Sequence, residues 1–286
     1  MTFNEARTEI VKQVSSVYDS EEAKNIADLV VEHISGLTRM EQISSKKNYL
    51  TCEQLDEADH LTERLKKNEP VQYVLGYAWF AGMKFTVNKN VLIPRPETEE
   101  LADWIVKDIL STEQLAASII DVGTGSGCIP VALKKKLPLT DVSAIDVCSE
   151  ALFVATENAI THEAFINFLL LDFLEEKKWE ELGRYNIIVS NPPYVKTSEA
   201  AAMHERVKIF EPHLALFVQD DDALIFYKKL GLFARKHLLP GGSIYVEINE
   251  AHAQDVVACF TNAGLKSVTV KKDMQGKERM VKAIAG

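Results

Sequence analysis

Asn191, Pro192, Pro193 and Tyr194 follow directly on the apolar run Tyr185 to Val189. Proline has no N–H to give to a strand ladder and holds the residue before it extended. The run therefore reads as a buried strand that stops at Ser190. The double proline reads as a stiff loop that holds Asn191 and Tyr194 above the sheet's carboxyl edge, where open α/β sheets bind ligands. An asparagine amide offers one acceptor oxygen and two donors. Pro192 keeps a carbonyl acceptor, Pro193 stiffens the turn, and Tyr194 supplies a flat apolar face with a polar tip. Two acceptors beside an aromatic plate suit a planar R–NH2 group. The nitrogen of such a group is a poor nucleophile, because its lone pair is delocalised into the neighbouring π system. Fixing its two hydrogens aims that lone pair at an electrophile, which is catalysis by positioning. Taken alone, the same residues also fit a rigid loop that only ends a strand.

A second cluster precedes this one. Asp121-Val122-Gly123-Thr124-Gly125-Ser126-Gly127 follows a strand-like run and opens a helical one. Its glycines permit a tight turn and close approach of a ligand to the backbone. The spacing is G-x-G-x-G, not the G-x-G-x-x-G of dinucleotide enzymes, and there is no Walker lysine. Asp146 ends the next strand, 19 residues after Gly127. A carboxylate there can accept bonds from both hydroxyls of an adenosine ribose. Asp121 suits either a cofactor contact or the loop's own amides, and Asp172 fits an N-cap as well as a ligand contact.

These residues need a frame. From about residue 115 strand-like and helical segments alternate, with strands expected at Ser118–Val122, Val142–Ile145, Ile166–Leu171, Tyr185–Val189, Ser243–Ile248, Ser267–Lys271 and Met280–Ile284. Helices fall between most of them, which predicts a mostly parallel, doubly wound α/β sheet. The short polar link Lys272 to Lys277 makes the last pair antiparallel, since a parallel crossover needs a dozen residues or more. Residues 1–75 read as a helical bundle. Possible capping boxes stand at Thr2/Glu5, Asp19/Glu22 and Thr51/Gln54, and apolar residues recur at three and four. Residues 76–95 read as a β-hairpin linker turning near Val87-Asn88-Lys89-Asn90, and 96–286 as the sheet domain. Arg95 and Glu97, in Ile93-Pro94-Arg95-Pro96-Glu97, stand at a helix entry where they could also line a substrate cleft. The aromatic pairs Trp79-Phe80 and Phe226-Tyr227 read as packing.

Composition narrows the function classes. The 286 residues are 47% hydrophobic and 26% charged, as in a soluble globular protein. A net charge of -10 argues against a broad nucleic-acid footprint. To residue 70 there are nine Lys or Arg against fourteen Asp or Glu, so the bundle is either a platform for a basic protein partner or simply a solvated lid. Four cysteines without CxxC spacing suit a reducing cytoplasm, and no apolar run reaches membrane-spanning length. Histidines without metal-ligand spacing give no metal site.

The glycine loop, the acid one strand later and Asn191-Pro192-Pro193-Tyr194 after the fourth strand, in that order, resemble class I methyltransferases that use S-adenosylmethionine. Within that class the four-residue loop resembles the signature of enzymes that methylate planar amino groups. Asn68 to Gly76, Ile93 to Glu99, Phe210-Glu211-Pro212 and Asp273-x-x-Gly276-x-x-Arg279 are similar to segments of the release-factor glutamine methyltransferases (PrmC/HemK). Ala223, Lys228 and Asn249 depart from that pattern, where relatives often carry Gly, Arg and Gly. The resemblance implies a seven-stranded Rossmann-like sheet with a small N-terminal helical domain. It implies N5-methylation of the glutamine in the Gly-Gly-Gln loop of peptide chain release factors. Apart from the resemblance, the chain is expected to be a cytoplasmic monomer. The resemblance also implies roles: Gly123, Thr124, Gly125, Ser126 and Gly127 cradle the methionine part of the cofactor, Asp146 takes the ribose, and Asp172 and Phe173 lie near the adenine. Phe173 fits ordinary core as well. Asn191 and the Pro192 carbonyl would hold the glutamine amide against Tyr194. The main rival is an adenine or guanine amino methyltransferase acting on a flipped base of DNA or RNA; a rival of another class is a non-catalytic nucleotide-binding adaptor on the ribosome.

Overall fold

The structure is a computed structural model of the chain and describes residues 1–45, 48–112 and 115–286. It divides into two compact units: Met1–Tyr77 with Glu205–Phe210, and Ala78–His204 with Glu211–Gly286.

In the first unit, helices α1 (Phe3–Val14), α2 (Ser20–Ser35), α3 (Arg39–Ser44), α4 (Cys52–Leu65) and α5 (Val71–Leu75) enclose a core that includes Ile10, Val14, Val30, Val31 and Leu65. Reciprocal capping boxes close the starts of α1 at Thr2/Glu5 and α4 at Thr51/Gln54. At α2, Asp19 caps the N–H groups of Glu21 and Glu22, but no reciprocal bond from Glu22 returns. Glu22 is instead paired with Arg206. A further box, Thr38/Glu41, starts α3. Arg64 holds the segment after α4 by donating to Glu69 and to the carbonyls of Tyr73 and Val74.

The second unit begins with the hairpin β1 (Tyr77–Phe80) and β2 (Met83–Thr86). Its turn lies at Ala81-Gly82, not at Val87 to Asn90 as the sequence suggested. Both turn residues have positive φ, 51° and 75°, the condition for the two-residue turn whose twist matches a hairpin. Phe80 is fully buried as expected, but its neighbour Trp79 is 59% exposed, because alternate strand residues face opposite sides.

The remaining elements run α6 (Pro96–Ser111), β3 (Ser118–Val122), α7 (Cys128–Lys136), β4 (Asp141–Asp146), α8 (Ser149–Thr161), β5 (Asn167–Leu170), β6 (Tyr185–Ser190) and β7 (Val195–Lys196). Then follow α9 (Glu205–Phe210), α10 (His213–Leu216), β8 (Phe217–Val218), α11 (Ile225–His237), β9 (Leu238–Glu247), α12 (Ala253–Asn262), β10 (Lys266–Lys272) and β11 (Glu278–Ile284). Seven strands form one sheet in the order β10-β11-β9-β6-β3-β4-β5; β11 is antiparallel to both neighbours and the rest are parallel. The small pair β7 and β8 is parallel and separate from it.

Both faces of the sheet are covered, so its central strands are apolar without alternation. One face carries Ile120, Ile188, Ile244, Trp179 and Phe233; the other carries Ile119, Ile187, Val189, Leu101 and Ile105. Strand order reverses between β3 and β6, which opens a crevice at their carboxyl ends. Ile188 has no exposed surface and sits mid-strand in β6. Ile188→Ala is expected to cost about 2–5 kcal/mol, read as a lower urea midpoint at unchanged slope.

Candidate active site

The loops after β3, β4 and β6 meet at one cavity of about 320 Å³. Gly123, Thr124, Gly125, Ser126, Asp146, Asp172, Phe173, Asn191, Pro192, Pro193 and Arg95 all line it. Gly127, Glu97 and Tyr194 do not.

The glycine loop is held by its own backbone. Gly123 and Thr124 donate to the Ile145 carbonyl at 2.9 and 3.0 Å. Gly123 and Gly125 have φ of 76° and 54°, and a Cβ on either would meet nothing within 4 Å, so space beside the backbone is open. Gly127 is different: it has φ 75° and a Cβ there would lie 3.0 Å from that of Ala155, so its glycine serves helix packing. Asp146 accepts from Gly125 N at 2.8 Å through Oδ2 and from Cys148 N at 2.9 Å through Oδ1. Burial raises its pKa, and those two N–H bonds oppose the shift. Behind the loop, Asp121 is fully buried with neither carboxylate oxygen hydrogen-bonded; burial, with Asp146 nearby, pushes it up to about 7. It does not bond the loop amides. Buried Asn158 fixes the loop from outside, bonding both polar atoms of the Thr86 backbone and the Ser126 carbonyl.

Asp172 accepts from Leu174 N at 2.9 Å, an Asx turn in place of a helix cap. Phe173 is 5% exposed; it lines the cavity and stacks on Trp179 with ring centroids 5.3 Å apart. Arg95 pairs with buried Glu211, which also accepts from Ile93 N at 3.3 Å. That pair ties the proline-rich entry of α6 to the segment before α10.

β6 and β9 run parallel with Ser190 opposite Val246, so Asn191 and Glu247 are the next residues along neighbouring strands. Asn191 Nδ2 donates to Thr98 Oγ1 at 3.0 Å. Thr98 Oγ1 donates to Glu247 Oε2 at 2.6 Å. The Tyr194 hydroxyl donates to Glu247 Oε1 at 3.4 Å, and that of Tyr227 to the Glu247 carbonyl at 3.0 Å. Tyr194 thus supports the loop from behind, and burial raises its pKa. An ionised carboxylate only accepts, so Thr98 must donate to it and accept from Asn191. That fixes the amide: NH2 points to Thr98, and Oδ1 is left for the cavity. Thr98, Asn158 and Glu247 escaped the sequence reading. Only Glu247 carried a local signal, an acid at the end of the apolar run Ile244-Tyr245-Val246.

Among the described residues no group of His, Cys, Asp and Glu could hold a metal ion, and no helix is long and apolar enough to cross a membrane. Solved structures share the sheet domain. A methyltransferase from Pyrococcus furiosus matches 80% of this chain and 99% of its own at TM-score 0.50 and 17% identity. A T. thermophilus 16S rRNA N2 methyltransferase, solved with AdoMet and guanosine, matches 73% of this chain and 50% of its own at TM-score 0.52 and 16% identity. At such identity the likeness shows the fold alone. The sheet order, with the cavity at its loop end, is that of the class I methyltransferase fold.

The sequence comparisons are narrower. Residues 5–76 match the family described as PrmC N-terminal domain, and 102–214 the Methyltransferase small domain. The release factor glutamine methyltransferase of Flavobacterium psychrophilum is 40% identical over 99% of both chains, and that of Bacteroides thetaiotaomicron 39% over 96% and 97%. The chain belongs to the release factor glutamine methyltransferase family. The cavity fits the methyl donor of the class: Thr124 Oγ1 is buried without a hydrogen-bond partner, the glycine loop leaves open space beside its backbone, and Asp146 keeps lone pairs.

Glu247 is 3% exposed, and burial, reinforced by Glu97, pushes it up to about 7. An unfolded glutamate titrates near about 4.3, so the folded state holds the extra proton. Its contribution to stability is full below the unfolded value and is lost as pH rises through the folded one. Glu247→Gln is therefore expected to raise the thermal midpoint relative to wild type more at about pH 8.5 than at about pH 5.5, checked by differential scanning fluorimetry.

Proposed function

We infer that this chain transfers a methyl group from S-adenosylmethionine to the side-chain amide nitrogen, N5, of the glutamine in the Gly-Gly-Gln motif of peptide chain release factors. The observation that carries the reading is the orientation of Asn191 beside an ionised Glu247: its NH2 donates to Thr98, which leaves Oδ1 to accept from an incoming NH2. The Pro192 carbonyl is the second acceptor. The relatives' shared name supports the choice of substrate.

Gly123, Thr124, Gly125, Ser126, Asp146, Asp172 and Phe173 would hold the donor, with Gly127 packing the loop's end. Bound there, S-adenosylmethionine supplies a methyl group on an electron-poor sulfonium. The chain's own part is to bind and orient. Asn191 Oδ1 and the Pro192 carbonyl accept the two N–H bonds of the glutamine amide, which aims its lone pair. As the nitrogen gains positive charge, both acceptors bind its hydrogens more strongly, so they favour the transition state over the ground state. No strong base is needed, since those protons become acidic only when that charge develops. Tyr194 and Pro193 keep the acceptors in place, and Arg95 with Glu211 holds the opposite wall. Glu97, at the first turn of α6, is not assigned to the substrate.

The acidic helical unit is the platform for the release factor. The protein acts as a cytoplasmic monomer without a nucleic-acid partner, in keeping with its net charge of -10. Asn191→Ala is expected to lower kcat about 10²-fold or more with donor affinity nearly unchanged. The mass of the tryptic peptide containing Gly-Gly-Gln, after incubation of a purified release factor with enzyme and donor, tests both activity and variant. Transfer to nucleic acid and not to the release factor would overturn the reading.

A further inference from the structure

The Asn191 amide is the end of a directional chain, and its direction is set by the group at the other end. Glu247 is buried, and Thr98 Oγ1 lies between it and Asn191 with 2.6 and 3.0 Å contacts. A threonine hydroxyl has one proton to give. If it goes to Glu247, the oxygen can only accept from Asn191, and the amide stands with Oδ1 outward. If Glu247 instead carries a proton of its own on Oε2, that proton can go to Thr98. The threonine hydroxyl is then free to donate to Asn191 Oδ1, and the amide turns its NH2 outward. Two donors would then face the two donors of a substrate NH2.

We propose that Glu247 is a positioning residue acting through Thr98: as a carboxylate it locks Asn191 in the accepting orientation, and as a carboxylic acid it releases that lock. The inference rests on the function given above and deepens it, since it says which ionisation state of the site accepts a primary amide.

The groups around Glu247 fit a site poised between the two states. Glu97, in the first turn of α6, disfavours the carboxylate, and Arg279 on β11 favours it. Tyr194 reaches Oε1 from the loop after β6, and Arg95 and Arg279 both act on that tyrosine. Tyr227, on α11, bonds the Glu247 carbonyl and leaves the carboxylate alone. Burial is the larger influence, and it brings Glu247 to about 7. Asp121 is brought to about 7 as well, so an acid limb in activity belongs to Glu247 only if it vanishes when Glu247 is replaced.

The test uses the full chain. Methyl transfer to a purified release factor is followed from about pH 5.5 to about pH 9 for wild type, Glu247→Gln, Thr98→Ser and Thr98→Val, with donor affinity measured calorimetrically. Wild-type kcat is expected to fall about tenfold between about pH 8 and about pH 6, with KM and donor Kd moving less than about threefold. Gln at 247 both donates and accepts, so it should lower kcat at high pH and flatten the acid limb. Thr98→Ser should restore the wild-type profile, whereas Thr98→Val should lower kcat and remove the limb. A flat wild-type profile, or an unchanged one in Glu247→Gln, overturns the inference.

A second readout needs no substrate. In protein labelled with 15N in asparagine side chains, the Asn191 NH2 signals should shift with a midpoint near 7 in wild type and not in Glu247→Gln. Absence of that titration sinks the switch. Its presence, with no methyl product on any release factor, upholds the switch and sinks the substrate reading.

Discussion

The hydrogen bond from Thr98 to Glu247 joins a helix start to a strand end, and the site inherits its geometry from that join. A carboxylate 3% exposed is costly unless donors meet it. Thr98 and Tyr194 do so directly, and Arg279 adds opposite charge from the neighbouring strand. These contacts pin α6, β9 and the loop after β6 to one another. Satisfying a buried acid and orienting the Asn191 amide are here the same set of contacts.

The rest of the cavity is built on backbone. Gly123 and Thr124 hang on the Ile145 carbonyl, and Asp146 returns the link by accepting from Gly125. Ser190 Oγ donates to the Val122 carbonyl at 2.7 Å, which joins the ends of β3 and β6 beneath the two loops. Such bonds hold a loop without side-chain rotamers to order, so the ligand meets a surface that has little left to rearrange. For methyl transfer to a poor nucleophile, whose barrier is lowered mainly by alignment, that economy of motion is the main service a protein can provide.

What was legible in the sequence followed the range of the forces involved. The central strands of the sheet could be read because a strand buried on both faces is a dense β-branched run, as in Ile119-Ile120 and Ile187-Ile188-Val189. The end of β6 could be read because proline acts on its immediate neighbours. The hairpin turn was misplaced: Val87 to Asn90 looked polar enough to turn, whereas Ala81 takes a positive φ that its residue type does not advertise. Glu22 was half of an apparent capping box, but a cation 184 residues away competes for it. Thr98, Asn158 and Glu247 were invisible as a set, because hydrogen bonds across 32 to 149 residues leave no local pattern. Family resemblance supplied the cofactor and the residues around it, which spacing alone had left open.

Helix α9 has a bearing on how the chain comes to be made. Its Arg206 donates to Glu22 and Asn68 and lies 4.5 Å over the Tyr18 ring, so the helical unit borrows a piece that is translated long after its own segment. During synthesis the first 77 residues leave the ribosome lacking that cation, and Glu22 waits for Arg206 until most of the sheet has emerged. An N-terminal fragment cut at Tyr77 is thus not the same object as the unit within the whole protein. Nascent chains would carry the bundle without this ion pair until β3 to β6 have been translated, although its buried core draws on residues of the first 77 alone.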